Sequence, residues 1–244
     1  MSATAPPLTG RGVADWPSHF GAMGAGYDER AFAGSALAAL GDRELAIVLA
    51  SLGAGRGRWV LDIGAGTGRF SAALVNAGWR VTAFDGSAVM LRCLASRVPD
   101  AKRVQGRLGD PLPFLTGRFA AVVAMRVLKY VADTPSALSE IARIAEPGAP
   151  VVFDAANGRS LARLGYVGSP IGYVTPASIR RLAADQGLSV TAVHDGPRLP
   201  HAVLACASSP RASRFTAAVE RGLGCVLGPT RGARSLIVDA RRAG

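Results

Sequence analysis

A glycine-rich turn between an apolar segment and a helix constrains this chain more than any other part of its sequence. Residues 60–68 read Val-Leu-Asp-Ile-Gly-Ala-Gly-Thr-Gly, and a second apolar run, residues 81–84, ends in Asp85. A tight turn between a strand and a helix leaves little room for side chains, and the helix points unpaired N–H groups at whatever lies in front of it. A carboxylate ending the neighbouring strand can accept both hydroxyls of a ribose. The pattern therefore predicts a nucleoside site.

The spacing of the glycines indicates which nucleoside is bound. Nicotinamide- and flavin-binding turns follow G-x-G-x-x-G. Here the spacing is G-x-G-x-G, Arg69 stands at the third-glycine position, and Asp62 lies two residues before the first glycine. This arrangement resembles the D/E-x-G-x-G-x-G signature of class I methyltransferases, which depend on S-adenosylmethionine (SAM). A glycine-rich turn in an ordinary α/β protein is the simpler alternative, but the order strand, acid, turn, helix, strand, acid favours the SAM site.

The resemblance extends from about Tyr27 to the last strand and implies a set of cofactor residues. The chain is most similar to the small-molecule branch of the family, which includes enzymes of quinone and natural-product biosynthesis. Tyr27 resembles a residue that often covers the methionine end of SAM, and residues 85–90 resemble the ribose and adenine segment. The implied cofactor residues are Tyr27, Asp62, Gly64, Ala65, Gly66, Gly68, Asp85, Gly86, Met90 and Leu108.

Several positions depart from the family pattern. Arg107 replaces the aspartate that bonds the adenine amino group, Ala120 replaces an aspartate at the start of strand four, and Lys129 replaces a common histidine. Adenine recognition is then left to backbone groups near Leu108, or to Asp110. These departures keep open a second hypothesis, a SAM-binding regulatory or scaffold protein that does not methylate.

The order of segments predicts the fold class. Strands alternating with helices indicate an α/β protein with a Rossmann-like, doubly wound, mainly parallel sheet, and the resemblance implies seven strands with the last one antiparallel. We expect a single domain over residues 21–244, behind a flexible tail (1–20) and including a helical cap (28–52). Two long connections, 155–174 and 195–233, are expected to cover the substrate. The predicted strands are 59–63, 80–84, 102–105, 120–125, 150–154, 188–194 and 235–240.

Candidate substrate residues follow the fourth predicted strand and lie in the two long connections. Arg126 and Lys129 suit an acceptor that carries a carboxylate, phosphate or phenolate, and Lys129 could act as a base if burial lowers its pKa. Tyr166 and Tyr173 are candidates for substrate contact, and His201 is a candidate base. Solvated loop positions or packing are the simpler alternatives for each. In-line methyl transfer depends mainly on alignment, so a base is not obligatory.

Composition narrows the choice of partner. The net charge of +11 would suit an RNA methyltransferase, but the arginines are dispersed and no aromatic-rich stacking segment accompanies them. A small-molecule acceptor, anionic or phenolic, is therefore favoured over nucleic acid. The three cysteines and the acids lack metal-ligand spacing, which predicts a metal-independent enzyme. The first residues do not show the basic and apolar pattern of a secretory signal, and no apolar run is long enough for a membrane helix, so we expect no membrane insertion and a cytoplasmic location.

Overall fold

The computed structural model describes residues 15–32, 34–160 and 173–244, in which helices and strands alternate. The helices are α1 (Trp16–Gly21), α2 (Tyr27–Ala31), α3 (Gly34–Leu52), α4 (Arg69–Asn76), α5 (Ala88–Arg97), α6 (Thr134–Ile144), α7 (Pro176–Asp185), α8 (His201–Cys206) and α9 (Pro210–Leu227). The strands are β1 (Trp59–Ile63), β2 (Arg80–Asp85), β3 (Lys102–Gln105), β4 (Ala121–Ala124), β5 (Pro150–Asn157), β6 (Tyr173–Val174), β7 (Leu188–Asp195) and β8 (Ser235–Arg242).

The strands form one sheet in the order β3-β2-β1-β4-β5-β8-β7. Strands β1 to β5 run parallel, and β8 is antiparallel to both of its neighbours. This confirms the predicted fold class and the antiparallel last strand. The two-residue strand β6 adds an eighth member beside β5, because Tyr173 and Val174 pair in parallel with Ala156 and Asn157. The reversal of strand order beside β1 places the ends of β1, β2 and β4 next to one another, where such sheets bind ligands.

Strand β4 lies at the centre of the sheet, where both of its faces are buried. Its four residues are small and apolar and have no exposed surface. Val122 and Ala124 pack into a core that includes α6 and α7, whereas Ala121 and Val123 pack into a second core that includes α3, α4 and α5. A continuous apolar run is the sequence pattern expected of such a doubly covered parallel strand.

The structure corrects several predicted boundaries. The predicted flexible tail is wrong over its last residues, because Trp16–Gly21 is a helix that has proline in its first turn. Strand β5 continues three residues beyond the predicted Asp154, since Ala155 and Ala156 keep pairing with β8. The predicted connection 195–233 contains α8 and α9, which pack against α3 rather than forming a loop.

Candidate functional site

The glycine turn joins β1 to α4 and adopts left-handed backbone conformations. Gly64, Gly66 and Gly68 have φ values of +69°, +53° and +86°. A Cβ atom on Gly64 would lie 2.7 Å from Cβ of Val127, and one on Gly68 would lie 2.8 Å from Cγ of Leu94. The first and third glycines are therefore required by neighbouring parts of the protein as well as by backbone conformation.

The middle glycine has a different environment. A Cβ on Gly66 would meet one described atom within 4 Å, the Gly64 carbonyl oxygen at 3.9 Å. Gly66 also lines a cavity at this edge of the sheet. A side chain there would project into open space that the protein itself leaves unfilled, so the turn fits a ligand that approaches its backbone closely.

Asp85 ends β2 beside this turn, and the backbone fixes its carboxylate. Gly66 N–H donates to Oδ2 at 2.9 Å, and Ser87 N–H donates to Oδ1 at 2.8 Å. Burial raises the pKa of the Asp85 carboxyl, while these two N–H groups oppose the rise. Each oxygen keeps lone pairs for a further donor, so the carboxylate can accept the hydroxyls of a ribose from the cavity that it lines.

Asp62 has a supporting position behind the turn. Its side chain is buried, accepts a hydrogen bond from Ser71 Oγ at 2.6 Å, and is not among the cavity-lining residues. Burial and the nearby Asp85 charge raise the pKa of Asp62 to about 7, although the Ser71 hydrogen bond acts in the opposite direction. The contact ties β1 to the first turn of α4 and thereby braces the glycine turn.

The cavity in front of the turn has a volume of about 270 Å³ and is lined by most of the predicted cofactor residues. Eight of the ten line it: Tyr27, Gly64, Ala65, Gly66, Asp85, Gly86, Met90 and Leu108. Asp62 and Gly68 instead support the turn from behind. The chain next to Tyr27 also reaches the turn directly, because Thr67 Oγ1 donates to Asp28 Oδ1 at 2.7 Å.

Helix α1 forms one wall of the cavity, which the sequence prediction missed. The Trp16 ring lies 4.3 Å from the Tyr130 ring, and Phe20 lies 5.3 Å from Tyr130 and 5.9 Å from Tyr27, between centroids. The sequence pattern that could have indicated this helix is the i, i+4 spacing of Trp16 and Phe20 together with a proline in the first turn. We call these four residues, Trp16, Phe20, Tyr27 and Tyr130, the aromatic wall.

Arg107 connects the predicted adenine segment to the residue before α1. Its guanidinium donates to Asp15 Oδ1 at 2.8 Å, at the residue that precedes α1, and both side chains are largely exposed. Arg107 and Leu108 both line the cavity, whereas Asp110 is not among its lining residues. The arginine that replaces the family's adenine-bonding aspartate thus forms an ion pair with the segment closing the cavity.

Arg126 follows β4 and also lines the cavity, but its charge is already paired. Its guanidinium donates to Glu44 Oε2 through Nη2 at 2.7 Å and through Nε at 3.1 Å, and its backbone N–H donates to the Asp154 carboxylate. The residue has a left-handed φ of +62°, unusual for a residue with a side chain. Burial opposes the charged form, yet Glu44 outweighs it and raises the pKa of Arg126.

Lys129 lies next to this cluster, and its surroundings favour the charged form of its side chain. Burial would lower the pKa of its ammonium group, but Tyr130 and Asp154 outweigh burial and raise that pKa. The condition for a basic Lys129, a pKa lowered by burial, is therefore not met. Its ammonium lies 5.1 Å from the Tyr130 ring centroid, and Lys129 itself is not among the cavity-lining residues.

Two candidates in the long connections, Tyr173 and His201, are not among the residues that line the cavity. His201 begins α8; burial and the charges of Arg234 and Arg126 lower the pKa of its imidazole. Its Nε2 atom is buried with no hydrogen-bond partner among the described residues. Tyr173 lies in β6 beside Ala156, and neither it nor His201 lines the cavity. Tyr166 lies outside the described residues.

Two further properties concern the described residues as a whole. No group of three or more histidine, cysteine, aspartate or glutamate side chains lies together there in a way that could hold a metal ion. In the same part of the chain, no helix combines the length and the apolar character needed to cross a bilayer.

Comparison with known proteins agrees with this geometry. Residues 61–153 match the family model described as a methyltransferase domain. The chain is 37% identical over 106 residues to a demethylmenaquinone methyltransferase of Renibacterium salmoninarum, covering 43% of this chain and 44% of that protein. It is 32% identical over 145 residues to a malonyl-[acyl-carrier protein] O-methyltransferase of Erwinia billingiae, covering 59% and 55%. The matched segments thus span about half the length of these relatives.

The fold comparison extends over more of the chain. A SAM-dependent methyltransferase from Mesorhizobium loti superposes with a TM-score of 0.61 at 17% identity, covering 83% of this chain and 98% of that one. The strand order, the glycine turn and Asp85 together define the class I, SAM-dependent methyltransferase fold. Residues 61–153 are thus similar to a methyltransferase domain, and SAM is the cofactor that such a domain implies.

Proposed function

We propose that this protein is a metal-independent, cytoplasmic methyltransferase that transfers a methyl group from SAM to a small molecule of specialised metabolism. The observation that carries the proposal is the pairing of an open, side-chain-free Gly66 with a carboxylate whose position is fixed by backbone donors. The names of two relatives, a demethylmenaquinone methyltransferase and a malonyl-[acyl-carrier protein] O-methyltransferase, support a small acceptor group.

The residues of the site fit SAM in a defined order. Asp85 would accept the ribose hydroxyls, Met90 and Leu108 would flank the adenine, and the glycine turn with Tyr27 would enclose the methionine end. When bound, SAM supplies a methyl group on a positively charged sulfur. The four rings of the aromatic wall line the cavity, where they would limit access of water and would attract a positively charged sulfur.

The charges around Arg126 and Lys129 favour a phenol or an enol as acceptor. These two cations face two acids, Glu44 and Asp154, so the cluster has as many negative as positive groups. A fully charged carboxylate or phosphate would have to compete with Glu44 for Arg126. A phenol could instead hydrogen-bond beside Tyr130, which lines the cavity next to Lys129. As its oxygen bonds to the methyl carbon, the carbon–sulfur bond of SAM would break, SAH would leave, and the phenol proton would pass to water.

Binding and turnover test the proposal separately. Calorimetry should show binding of SAM and of its demethylated product, S-adenosylhomocysteine (SAH), and Gly66→Val and Asp85→Ala should each reduce that binding strongly. Methyl transfer from labelled SAM to a panel of phenols, enols and carboxylates should then select the first two classes. Undiminished SAH binding in both variants would refute the site, and preferred methylation of carboxylates would refute the acceptor class.

Two other functions each have one observation in their favour. The net charge of +11 favours an RNA methyltransferase, which would show salt-sensitive RNA binding and methylated RNA as product. The departures at Arg107, Ala120 and Lys129 favour a non-catalytic SAM-binding regulatory or scaffold protein, which would bind SAH but show no turnover with any acceptor.

A further inference from the structure

The outer face of α9 combines exposed apolar side chains with arginines. Phe215 and Val226 are 70% and 84% exposed, which is unusual for large apolar residues on an 18-residue helix. Arg211, Arg214 and Arg221 are also exposed. At 3.6 residues per turn, all five positions fall within an arc of about 140°. We call this set of five residues the α9 face.

The two kinds of side chain are separated across the α9 face. Phe215 and Val226 are 11 residues apart and lie along one edge of the arc, and Arg214 and Arg221 lie along the other edge. The single acid of the helix, Glu220, points elsewhere, because its carboxylate accepts hydrogen bonds from the backbone N–H groups of Arg198 and Leu199. The face therefore carries positive charge and apolar surface with no acidic residue to balance them.

We infer that the α9 face docks on an anionic lipid surface. On such a surface, a helix lying in the plane of the interface inserts its apolar edge at the boundary with the acyl chains and places its arginines at the level of the phosphate groups. This inference does not depend on the proposed methyl transfer, and it requires peripheral binding without a membrane-spanning helix.

Other occupants fit the α9 face less well. A twofold contact between two copies through this face would bring six arginines together with no acid in the interface, since both copies present the same residues. Nucleic acid would match the arginines but would leave Val226 without an apolar partner. An anionic bilayer matches both edges of the face at once.

Vesicle sedimentation with the full chain tests the inference. Binding to vesicles of phosphatidylglycerol and phosphatidylcholine in equal parts should exceed binding to phosphatidylcholine vesicles, and should weaken as salt increases. Each arginine changed to glutamine in the α9 face should lower the partition coefficient about fivefold. Phe215→Ser should lower it about tenfold.

Two control variants test whether vesicle binding depends on the α9 face or on exposed charge and apolar surface anywhere on the protein. Arg181→Gln removes an exposed arginine on α7, and Leu115→Ser removes a leucine that is 78% exposed outside any helix. Both should bind vesicles as the unchanged protein does, and circular dichroism should show every variant folded. Equal loss in the controls, equal binding to uncharged vesicles, tighter binding to RNA than to anionic vesicles, or a dimer that Phe215→Ser dissociates would each overturn the inference.

Discussion

Gly64 and Gly66 have similar backbone conformations but different surroundings, so alanine at each should have a different effect. A non-glycine residue in the left-handed region costs about 1–2 kcal/mol. Gly66→Ala adds no close contact with described atoms, so its free energy of unfolding should fall by about that amount. Gly64→Ala adds overlap with the β-branched Val127 at 2.7 Å, and overpacking of this kind costs about a further 1–3 kcal/mol. The expected losses are thus about 1–2 and about 2–5 kcal/mol.

Gly66→Ala, the variant with the smaller expected loss of stability, should nevertheless lose ligand affinity. In Gly66→Ala the methyl group projects into the cavity, so calorimetry should show SAH binding weakened by about tenfold or more, although the fold is only modestly destabilised. Gly148→Ala is the matched control, because Gly148 has a φ of +74° and no described atom within 4 Å of a built Cβ. It should lose about as much stability as Gly66→Ala in urea and retain full SAH affinity. Wild-type affinity in Gly66→Ala, or equal stability of Gly64→Ala and Gly148→Ala, would refute the reasoning.

Four further changes test the rest of the site. Asp85→Ala should weaken SAH binding about tenfold or more by calorimetry, because the carboxylate accepts two backbone N–H groups and faces the cavity; an unchanged affinity would contradict this. Lys129→Met should preserve SAH affinity and lower turnover with a phenolic acceptor, and a parallel loss of both would place Lys129 in the cofactor site. Asp15→Ala should weaken SAH binding by less than about fivefold, with no further loss when Arg107→Ala is added, because the exposed pair acts as a unit; additive losses would argue against the pair. Asp62→Asn should remove part of the pH dependence of stability. Because the pKa of Asp62 is raised to about 7, the folded protein holds a proton on this carboxyl between about pH 4 and about pH 7 that the unfolded protein has lost. As the pH rises through that range, the free energy of unfolding should therefore fall in the unchanged protein and fall less in the variant.

Local sequence patterns determined most of the fold and the donor side of the site. The strand ends at Ile63 and Asp85 are set by apolar runs that stop at a turn residue or an acid, and the glycine spacing specifies the turn between them. Ser87, a residue type common at helix N-caps, precedes α5, and its Oγ accepts the Met90 N–H. Such features depend on neighbours in the sequence, so one sequence suffices to predict them.

The acceptor side depends on contacts between residues distant in sequence, which local patterns do not encode. Arg126 is 82 positions from Glu44, and Arg107 is 92 positions from Asp15. A sequence pattern shows that Arg126 follows a strand, but not that its charge is paired or that its backbone is left-handed. The same limit explains the error over α1, because a short helix that packs on α5 and, through its aromatic rings, on Tyr130 has little periodic pattern of its own.

The position of α1 and α3 around the cavity has an evolutionary consequence. The segment that matches the methyltransferase-domain model, residues 61–153, contains the glycine turn and Asp85. Trp16 and Phe20 line the cavity from outside that segment, and Glu44 of α3 holds Arg126, which also lines it. Under the proposed function, substitutions in these flanking helices would reshape the acceptor side of the cavity without altering the glycine turn or Asp85. Relatives that keep the same central segment would then differ in acceptor preference through the helices that precede β1, and exchanging those helices between relatives would show whether they do.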